Sequence, residues 1–242
     1  MQIQVFKDPE IVAKQAATMI ASEILTKPDV VLGLPTGSSP ISTYREMIRM
    51  HRKGLDFSRV STFNLDEYMG LNADHPMSYR RFMDENLFDH VNIPKGNTYV
   101  PCGIGDGEEN ARAYETAIRM AGGIDLQVLG IGRNGHIGFN EPAAAFSDVT
   151  GVVSLTQSTI DANKRFFASA DDVPPTAISM GIGTIMRARK VLLIATGEDK
   201  AETIHGLVHG PITPQLPASA LRMHPNALIL LDEAAASHII PI

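Results

Sequence analysis

The chain has 242 residues and a formal net charge of -6, and its 44% hydrophobic and 20% charged residues are typical of a globular protein. That length can bury a large core, and the acidic balance argues against a nucleic-acid partner, because domains that bind nucleic acids usually carry a basic face. The single cysteine, Cys102, excludes an intrachain disulfide and fits a reducing cytosol.

Strands and helices alternate in the first part of the chain. Ile3 to Phe6 predicts a short strand, after which Asp8 is a typical N-cap with Pro9 at the first helical position. Apolar residues then recur at helical spacing as far as Ile24, which predicts an amphipathic helix packed on a sheet. The next apolar run, Val30 to Leu34, predicts a second strand.

A glycine-containing loop, Pro-Thr-Gly-Ser-Ser-Pro at positions 35–40, connects that strand to a second helix with Tyr44 on its apolar stripe. Such a loop can bind anions, because its backbone N–H groups and the helix dipole both favour negative charge. Gly37, Ser38 and Ser39 are therefore candidates for a phosphate site. The alternative is that the loop is only a tight turn with a good helix cap and binds no phosphate.

Two adjacent carboxylates, Asp66 and Glu67, follow a third strand-like run at Val60 to Leu65. A carboxylate at the end of a buried strand can act as a general base, and partial burial would raise its basicity. Neighbouring residues of an extended chain point to opposite sides, so at most one of the two is expected to face a ligand. The alternative is that both are solvated or cap the next turn.

More helices and strands are predicted in the remainder of the chain. Helical spacing recurs after Ser78 and again from Ala111 to Ala121. Buried strands are predicted at Leu126 to Ile131, Val191 to Ala195 and Ala227 to Leu231. The fold class is therefore α/β, with about seven strands in a mostly parallel central sheet and helices on both faces. One domain is expected to span residues 1–242.

The pattern weakens from Ala143 to Pro175. A strand at Val152 to Leu155 and a short helix around Ala162 to Phe167 are expected there. A weakly periodic segment that follows a glycine-rich rim is a candidate lid, at about residues 143–175. An ordinary surface excursion without motion would give the same pattern.

No feature of the sequence points to a membrane or to export. The N-terminal residues lack a basic segment followed by an apolar stretch, so no secretory signal is expected. No segment reaches 18 uninterrupted apolar residues, so no membrane span is expected. With the single cysteine, these observations predict a cytoplasmic protein.

The segment after the strand at Leu126 matches the residue pattern of a dinucleotide-binding fingerprint but not its structural context. Gly130 to Gly135 matches G-x-G-x-x-G, but such a fingerprint opens a helix. Here Gly138 and Pro142 would interrupt any helix. No nicotinamide cofactor is therefore expected.

His136 lies close in sequence to Asn134 and Glu141, which is the form of an acid–base histidine with orienting partners. Histidine titrates near neutral pH, and a neighbouring carboxylate or amide fixes its tautomer. A metal site would need further ligands at suitable spacing, and the stretch around His136 offers no second histidine or cysteine. A purely structural hydrogen-bonding histidine is the open alternative.

Two cations are candidates for binding a phosphate. Lys200 follows Thr196 and Gly197, which form a second anion-friendly loop at the start of a predicted helix. Arg165 lies in the candidate lid. Either could be a surface charge, and the two support a phosphate site only if they converge on the loop at Gly37.

Five segments together resemble the glucosamine-6-phosphate deaminases, within the glucosamine/galactosamine-6-phosphate isomerase family, in order and at matching spacing. They are Leu34 to Gly37, Phe63 to Tyr68, Gly132 to Pro142, Asn163 to Phe167 and Gly197 to Ala201. The likeness runs from about residue 3 to residue 232. The segments around Asp66 and His136 are the most specific.

The resemblance implies a modified Rossmann-like fold and the conversion of glucosamine 6-phosphate and water to fructose 6-phosphate and ammonia, with no metal or organic cofactor. By position, Asp66 resembles the base that takes the C2 proton of the open-chain sugar and returns it at C1. His136 resembles the acid–base group for ring opening, supported by Glu141 and Asn134. The phosphate site implied by the resemblance consists of Gly37, Ser38, Ser39, Arg165 and Lys200.

The sequence departs from the family pattern in two places. Many members have aspartate at the position of Asn134, so we expect His136 to depend more on Glu141 here. Larger relatives are hexamers activated by N-acetylglucosamine 6-phosphate through basic and polar residues after the Asn-Glu-Pro motif and a C-terminal extension. Here the corresponding stretches, Ala143–Ala145 and Gly151–Val153, contain no cation, and the chain stops at Ile242. A monomer with hyperbolic, unregulated kinetics is therefore expected.

Two other functions compete with a deaminase. A 6-phosphogluconolactonase, a hydrolase on a related scaffold, would need no strand-end base, so the segment around Asp66 favours the deaminase. A sugar-phosphate sensor, such as the effector domain of a bacterial regulator, would need an attached DNA-binding segment. The sequence shows neither a helix-turn-helix motif nor a basic region.

Overall fold

The structure, a computed structural model, describes residues 1–163 and 173–239. These residues form ten strands: β1 (Gln2–Phe6), β2 (Val31–Leu34), β3 (Ser61–Asn64), β4 (Asp66–Tyr68), β5 (Thr98–Tyr99), β6 (Leu126–Leu129), β7 (Gly151–Ser154), β8 (Thr176–Ser179), β9 (Lys190–Ala195) and β10 (Ala227–Asp232). They also form seven α-helices: α1 (Pro9–Thr26), α2 (Ile41–His51), α3 (Tyr79–Asn86), α4 (Gly107–Met120), α5 (Gln157–Asn163), α6 (Ile182–Met186) and α7 (Ala201–His209). Short 3-10 helices lie at Phe88–His90, Lys95–Asn97, Glu198–Lys200 and Pro217–Met223.

Seven strands form one parallel sheet in the order β1-β10-β9-β6-β2-β3-β5. Helices α1, α2 and α3 cover one face of this sheet, where Ile20, Tyr44 and Met83 are fully buried. Helices α4, α6 and α7 cover the other face. The predicted fold class is therefore confirmed.

Strand order explains where a ligand can bind. The neighbouring strands β9, β6, β2 and β3 end side by side, so the loops that follow them share one edge of the sheet. Strands β2 and β6 are adjacent although three further strands and three α-helices separate them in sequence, which is the kind of switch point where open α/β sheets bind ligands. All of the sequence-predicted site residues that the structure describes lie in these four loops.

The first two helices begin as their sequences predict. In α1 the side chain of Asp8 accepts a hydrogen bond from the backbone N–H of Ile11 at 2.9 Å, with Pro9 at the first helical position. In α2 the buried Tyr44 donates its phenolic proton to the carbonyl of Pro35 at 2.5 Å. The helix therefore holds the start of the glycine-containing loop in place.

Two features differ from the predictions. The carboxylate pair belongs to a second sheet, of order β4-β8-β7, in which both pairings are antiparallel. The helix expected around Ala162 to Phe167 begins earlier, at Gln157, and the end predicted for it lies outside the described residues. The backbone N–H of Thr159 donates to the hydroxyl of Thr156 at 3.3 Å, so Thr156 supplies the cap that starts α5.

Candidate active site

A cavity of about 1110 Å³ opens at the shared edge of the four strands. The sequence-predicted residues that line it are Gly37, Ser38, Ser39, Asp66, Asn134, His136 and Lys200. Glu141 lies behind this lining, and Arg165 lies outside the described residues. Two residues that the sequence did not single out, Tyr79 and Thr159, also line the cavity.

Asp66 is a buried carboxylate without a hydrogen-bond donor among the residues that the structure describes. Its residue is 6% exposed and lies on β4, opposite Ser179 of β8. Burial, together with the adjacent charge of Glu67, raises the pKa of Asp66 to about 8. Gly138, at a φ of 56°, passes so close that a Cβ there would lie 3.5 Å from the Asp66 Oδ2 atom. The protein thus keeps a basic, unpaired carboxylate at the cavity wall.

Glu67 has a different role from Asp66. Its Oε1 atom accepts hydrogen bonds from the backbone N–H groups of Tyr68 and Tyr79, both at 2.9 Å, and Oε2 accepts one from Arg80 at 3.1 Å. The carboxylate therefore caps the start of α3 and does not line the cavity. Of the two acids, only Asp66 lines the cavity, as expected for neighbouring residues of a strand, and Glu67 is the one that caps a helix.

The loop after β6 is shaped around the imidazole of His136. A Cβ on Gly132 would lie 2.2–2.5 Å from atoms of that ring, so only glycine leaves room for it. The backbone N–H of Gly132 donates to the carbonyl of His136 at 2.9 Å, which closes the loop on itself. The His136 side chain remains 29% exposed. The ring is therefore held in place and still open to a ligand.

Glu141 is the centre of a network around His136. Its Oε2 atom accepts a hydrogen bond from Asn134 Nδ2 at 2.6 Å. The same atom lies 3.6 Å from His136 Nδ1, which is longer than an ordinary hydrogen bond and makes an ion pair only when the imidazole is protonated. Its Oε1 atom accepts a hydrogen bond from the hydroxyl of Thr159. Burial alone would raise the pKa of Glu141, but these three partners outweigh it and lower the pKa to about 2.

Two of the candidate phosphate groups, Gly37 and Lys200, line the same cavity. Gly37 adopts a φ of 85°, which favours glycine. Lys200 ends a 3-10 turn before α7 rather than starting the helix, and its side chain is only 18% exposed, 3.6 Å from Asp199. Burial lowers the pKa of Lys200. The lysine is therefore a cation of the cavity wall rather than a fully exposed surface charge.

Among residues 1–163 and 173–239, no group of three or more histidine, cysteine, aspartate and glutamate side chains is arranged to hold a metal ion. One H-x-x-x-H spacing does occur, at His205 and His209 of α7. Both residues are exposed, and their ring centroids are 5.1 Å apart. Neither lines the cavity.

Comparison with known proteins gives a consistent picture. The family model for glucosamine-6-phosphate isomerases and 6-phosphogluconolactonase matches residues 9–230. The chain is 52% identical to the glucosamine-6-phosphate deaminase of Clostridium perfringens (strain SM101 / Type A) over 238 residues, which cover 98% of each protein. It is 43% identical to a structurally solved monomeric glucosamine-6-phosphate deaminase, with a TM-score of 0.96 over 98% of this chain and 100% of the other. A 6-phosphogluconolactonase from Trypanosoma cruzi shares the fold at a TM-score of 0.82 but is only 20% identical, over 99% of this chain and 97% of the other.

Proposed function

The chain belongs to the family of glucosamine-6-phosphate isomerases and 6-phosphogluconolactonases, and we propose that it converts glucosamine 6-phosphate and water to fructose 6-phosphate and ammonia. It is an enzyme of amino-sugar metabolism, of the glucosamine-6-phosphate deaminase type. One observation carries the proposed chemistry: a single cavity is lined by an unpaired buried carboxylate, an oriented histidine, and a loop with its own lysine.

The proposed reaction begins with the anionic end of the substrate. The phosphate binds the backbone of the Gly37–Ser39 loop and Lys200, and this contact fixes the sugar carbons against the opposite wall of the cavity. The sequence also points to Arg165 for this site. Orientation of this kind can supply a large part of a rate enhancement.

Proton transfers are then divided between two groups. His136 moves a proton between the anomeric hydroxyl and the ring oxygen, which opens the sugar ring. Asp66 takes the C2 proton, which the neighbouring aldehyde makes acidic, and returns it at C1. The C2 imine that remains is hydrolysed by water, and ammonia leaves. Because burial, with the nearby charge of Glu67, raises the pKa of Asp66, its carboxylate is basic enough for this role.

The experiment is a measurement of ammonia released from glucosamine 6-phosphate by the purified protein and by the variants Asp66→Asn and His136→Gln. Each variant is expected to lose about 10²- to 10⁴-fold in turnover, the usual contribution of general acid–base catalysis. Asp66→Asn should still bind the substrate in calorimetry. The exposed residues Asp74 and His90 provide the matched controls Asp74→Asn and His90→Gln, which should keep the parent rate.

Each outcome of that experiment separates the alternatives. Turnover of Asp66→Asn equal to the parent would remove Asp66 from the mechanism. No ammonia from the parent, with hydrolysis of 6-phosphogluconolactone, would establish a lactonase. Binding of the sugar phosphate without either reaction would establish a sensor.

The same proposal extends to the state of the protein in the cell. We expect a monomer that binds a small sugar phosphate, as the solved relative at 43% identity is described as monomeric. A cytoplasmic location fits the exposed free thiol of Cys102, which a reducing compartment preserves. In the described part of the chain, none of the helices has both the length and the apolar character needed to cross a bilayer.

A further inference from the structure

We propose that Thr159 is a positioning residue for the reaction, which holds Glu141 in the orientation that fixes His136. The inference rests on the proposed function, because it assigns a role within the same site. Thr159 belongs to α5, in the middle of the segment that the sequence marks as a candidate lid. It would therefore connect that segment to the acid–base pair.

The geometry around Glu141 gives Thr159 a distinct task. Asn134 and His136 both contact the Oε2 atom, and both lie in the same short loop as Glu141 itself. The Oε1 atom accepts its hydrogen bond from Thr159, which comes from a different element, 18 residues along the chain. A carboxylate held at one oxygen can rotate, whereas one held at both oxygens from two directions cannot.

The hydroxyl of Thr159 is arranged to donate rather than accept. Glu141 is ionised, because its partners lower its pKa to about 2, so it offers only acceptor atoms. The hydroxyl of Thr156 lies 3.2 Å from that of Thr159 and can donate to it. The hydrogen bonds then run in one direction, from Thr156 to Thr159 and from Thr159 to Glu141. The same Thr156 caps α5, so the helix start and the donor are fixed together.

Burial makes this hydrogen bond difficult to replace. Thr159 is 6% exposed, and the Glu141 side chain is 9% exposed. Little water reaches the Oε1 atom, so removal of the hydroxyl leaves a buried charge partly unpaired. Other charged groups also line the same cavity. Asp66 lies on β4 and Asp161 lies on α5. Arg133 follows β6, and Asp199 and Lys200 follow β9. In the described part of the chain, Asp66, Arg133, Asp199 and Lys200 make no hydrogen bond or ion pair with the Glu141 carboxylate.

The test compares Thr159→Val, which keeps the shape and removes the hydroxyl, with Thr159→Ser, which keeps the hydroxyl. Thr62→Val is the matched control, because Thr62 is 2% exposed, lies on β3 outside the cavity lining, and its hydroxyl has no partner among the described residues. Two readouts are needed for each variant. The first is kcat and KM for ammonia release, and the second is the position and width of the His136 ring signal in NMR with labelled histidine.

Thr159→Val is expected to lower kcat by about ten- to a hundredfold, the usual effect of losing a hydrogen bond to a charged group, with little change in KM. The His136 ring signal should shift or broaden, since a disordered Glu141 no longer holds the imidazole in one orientation. Thr159→Ser should restore both values to those of the parent, and Thr62→Val should resemble the parent.

Several results would overturn the proposal. Parent values of kcat and of the His136 ring signal in Thr159→Val would show that the hydroxyl positions nothing. A rise in KM alone would show a substrate contact instead. An equal loss in Thr62→Val would show a general effect on the fold. If the parent releases no ammonia, the proposed function fails, but the His136 ring signal still decides whether Thr159 orients the pair.

Discussion

Asp66 and Glu67 are adjacent and both buried, and burial raises the pKa of each, to about 8 and about 7 respectively, but they differ in their hydrogen bonds. Glu67 accepts three backbone hydrogen bonds, which offset part of the penalty of burying its charge. Asp66 accepts none from the described residues, and the charge of Glu67 adds to its penalty. The ionised form of Asp66 is therefore destabilising, and this is the form that a general base requires.

Replacement of Asp66 should for this reason make the protein more stable while it removes activity. The pKa of Asp66 is raised to about 8 in the folded protein from an ordinary 3.8, so the folded state binds the extra proton between about pH 4 and pH 8. The free energy of unfolding of the parent must fall as pH rises through that window. Asp66→Asn cannot ionise, so its advantage over the parent should grow with pH by up to about 1.4 kcal/mol per pH unit across this window and be smallest near pH 5.

Urea unfolding of the parent and of Asp66→Asn at half-unit pH steps from 5 to 8.5 measures this difference. Asp74→Asn on an exposed loop is the control and should follow the parent at every pH. A difference between Asp66→Asn and the parent that stays constant across the range would contradict the electrostatic origin.

At the scale of single residues, the sequence identifies functional residues that lie near one another in the chain. Asn134, His136 and Glu141 fall within eight residues and meet in the structure, so their spacing was informative. Tyr79 and Thr159 reach the cavity from other elements, and no local pattern marked them. The one available signal was Thr156, three residues before Thr159, which is typical of a helix N-cap and would have placed α5 correctly.

At the scale of elements, one end of the sheet carries the cavity and the opposite end contributes to stability. The end opposite the cavity is held together by Asp125, which precedes β6 and is 7% exposed. Its carboxylate accepts hydrogen bonds from the backbone N–H of Val31 at 2.8 Å, from Lys27 Nζ at 2.6 Å and from Arg189 at 3.1 Å. One side chain thus joins the end of α1 to the starts of β2, β6 and β9.

Asp125→Ala should destabilise the fold by about 2–4 kcal/mol, because it leaves a buried backbone N–H group and two cations without their acceptor. Thermal or urea unfolding measures the loss. The kcat at a temperature where the variant is folded should equal that of the parent, since the residue lies at the far end of the strands. Asp29→Ala, on the exposed turn nearby, is the matched control and should cost less than about 0.5 kcal/mol. A loss of kcat in folded Asp125→Ala would show that the two ends are coupled.

The strands were predicted correctly where a buried strand gives a continuous run of apolar residues in the sequence. The apolar runs of β2, β6, β9 and β10 have 4 to 6 residues on buried strands and are flanked by helices, so periodicity identified them. The small sheet was missed because β4 has three residues and its partner β8 lies more than a hundred residues away. Pairing between short distant strands leaves no local signal. The consequence is functional, since this pairing sets the direction of Asp66.

For the whole molecule, the order of strands brings four separate loops to one cavity without a second domain. The loops after β2 and β9 are the proposed phosphate site, and those after β3 and β6 carry the proposed proton-transfer groups. A ligand that bridges both pairs would contact elements from most of the chain. Binding of a sugar phosphate should therefore stabilise the whole fold rather than one segment, through mass action on the folded state.

The same arrangement leads to a prediction about regulation. Activation of larger relatives by N-acetylglucosamine 6-phosphate, as the family resemblance implies, depends on basic residues after the Asn-Glu-Pro motif, and residues 143–163 of this chain contain no lysine or arginine. Without a cation there, that anionic effector has no charge partner, and a monomer has no neighbouring site to couple to. The rate should rise hyperbolically with glucosamine 6-phosphate, with a Hill coefficient of about 1, and added N-acetylglucosamine 6-phosphate should not increase it. Steady-state rates with and without that effector, together with sedimentation at the assay concentration, measure both properties. A sigmoidal curve that the effector makes hyperbolic, or a hexamer in sedimentation, would contradict the prediction and require an effector site built from other residues.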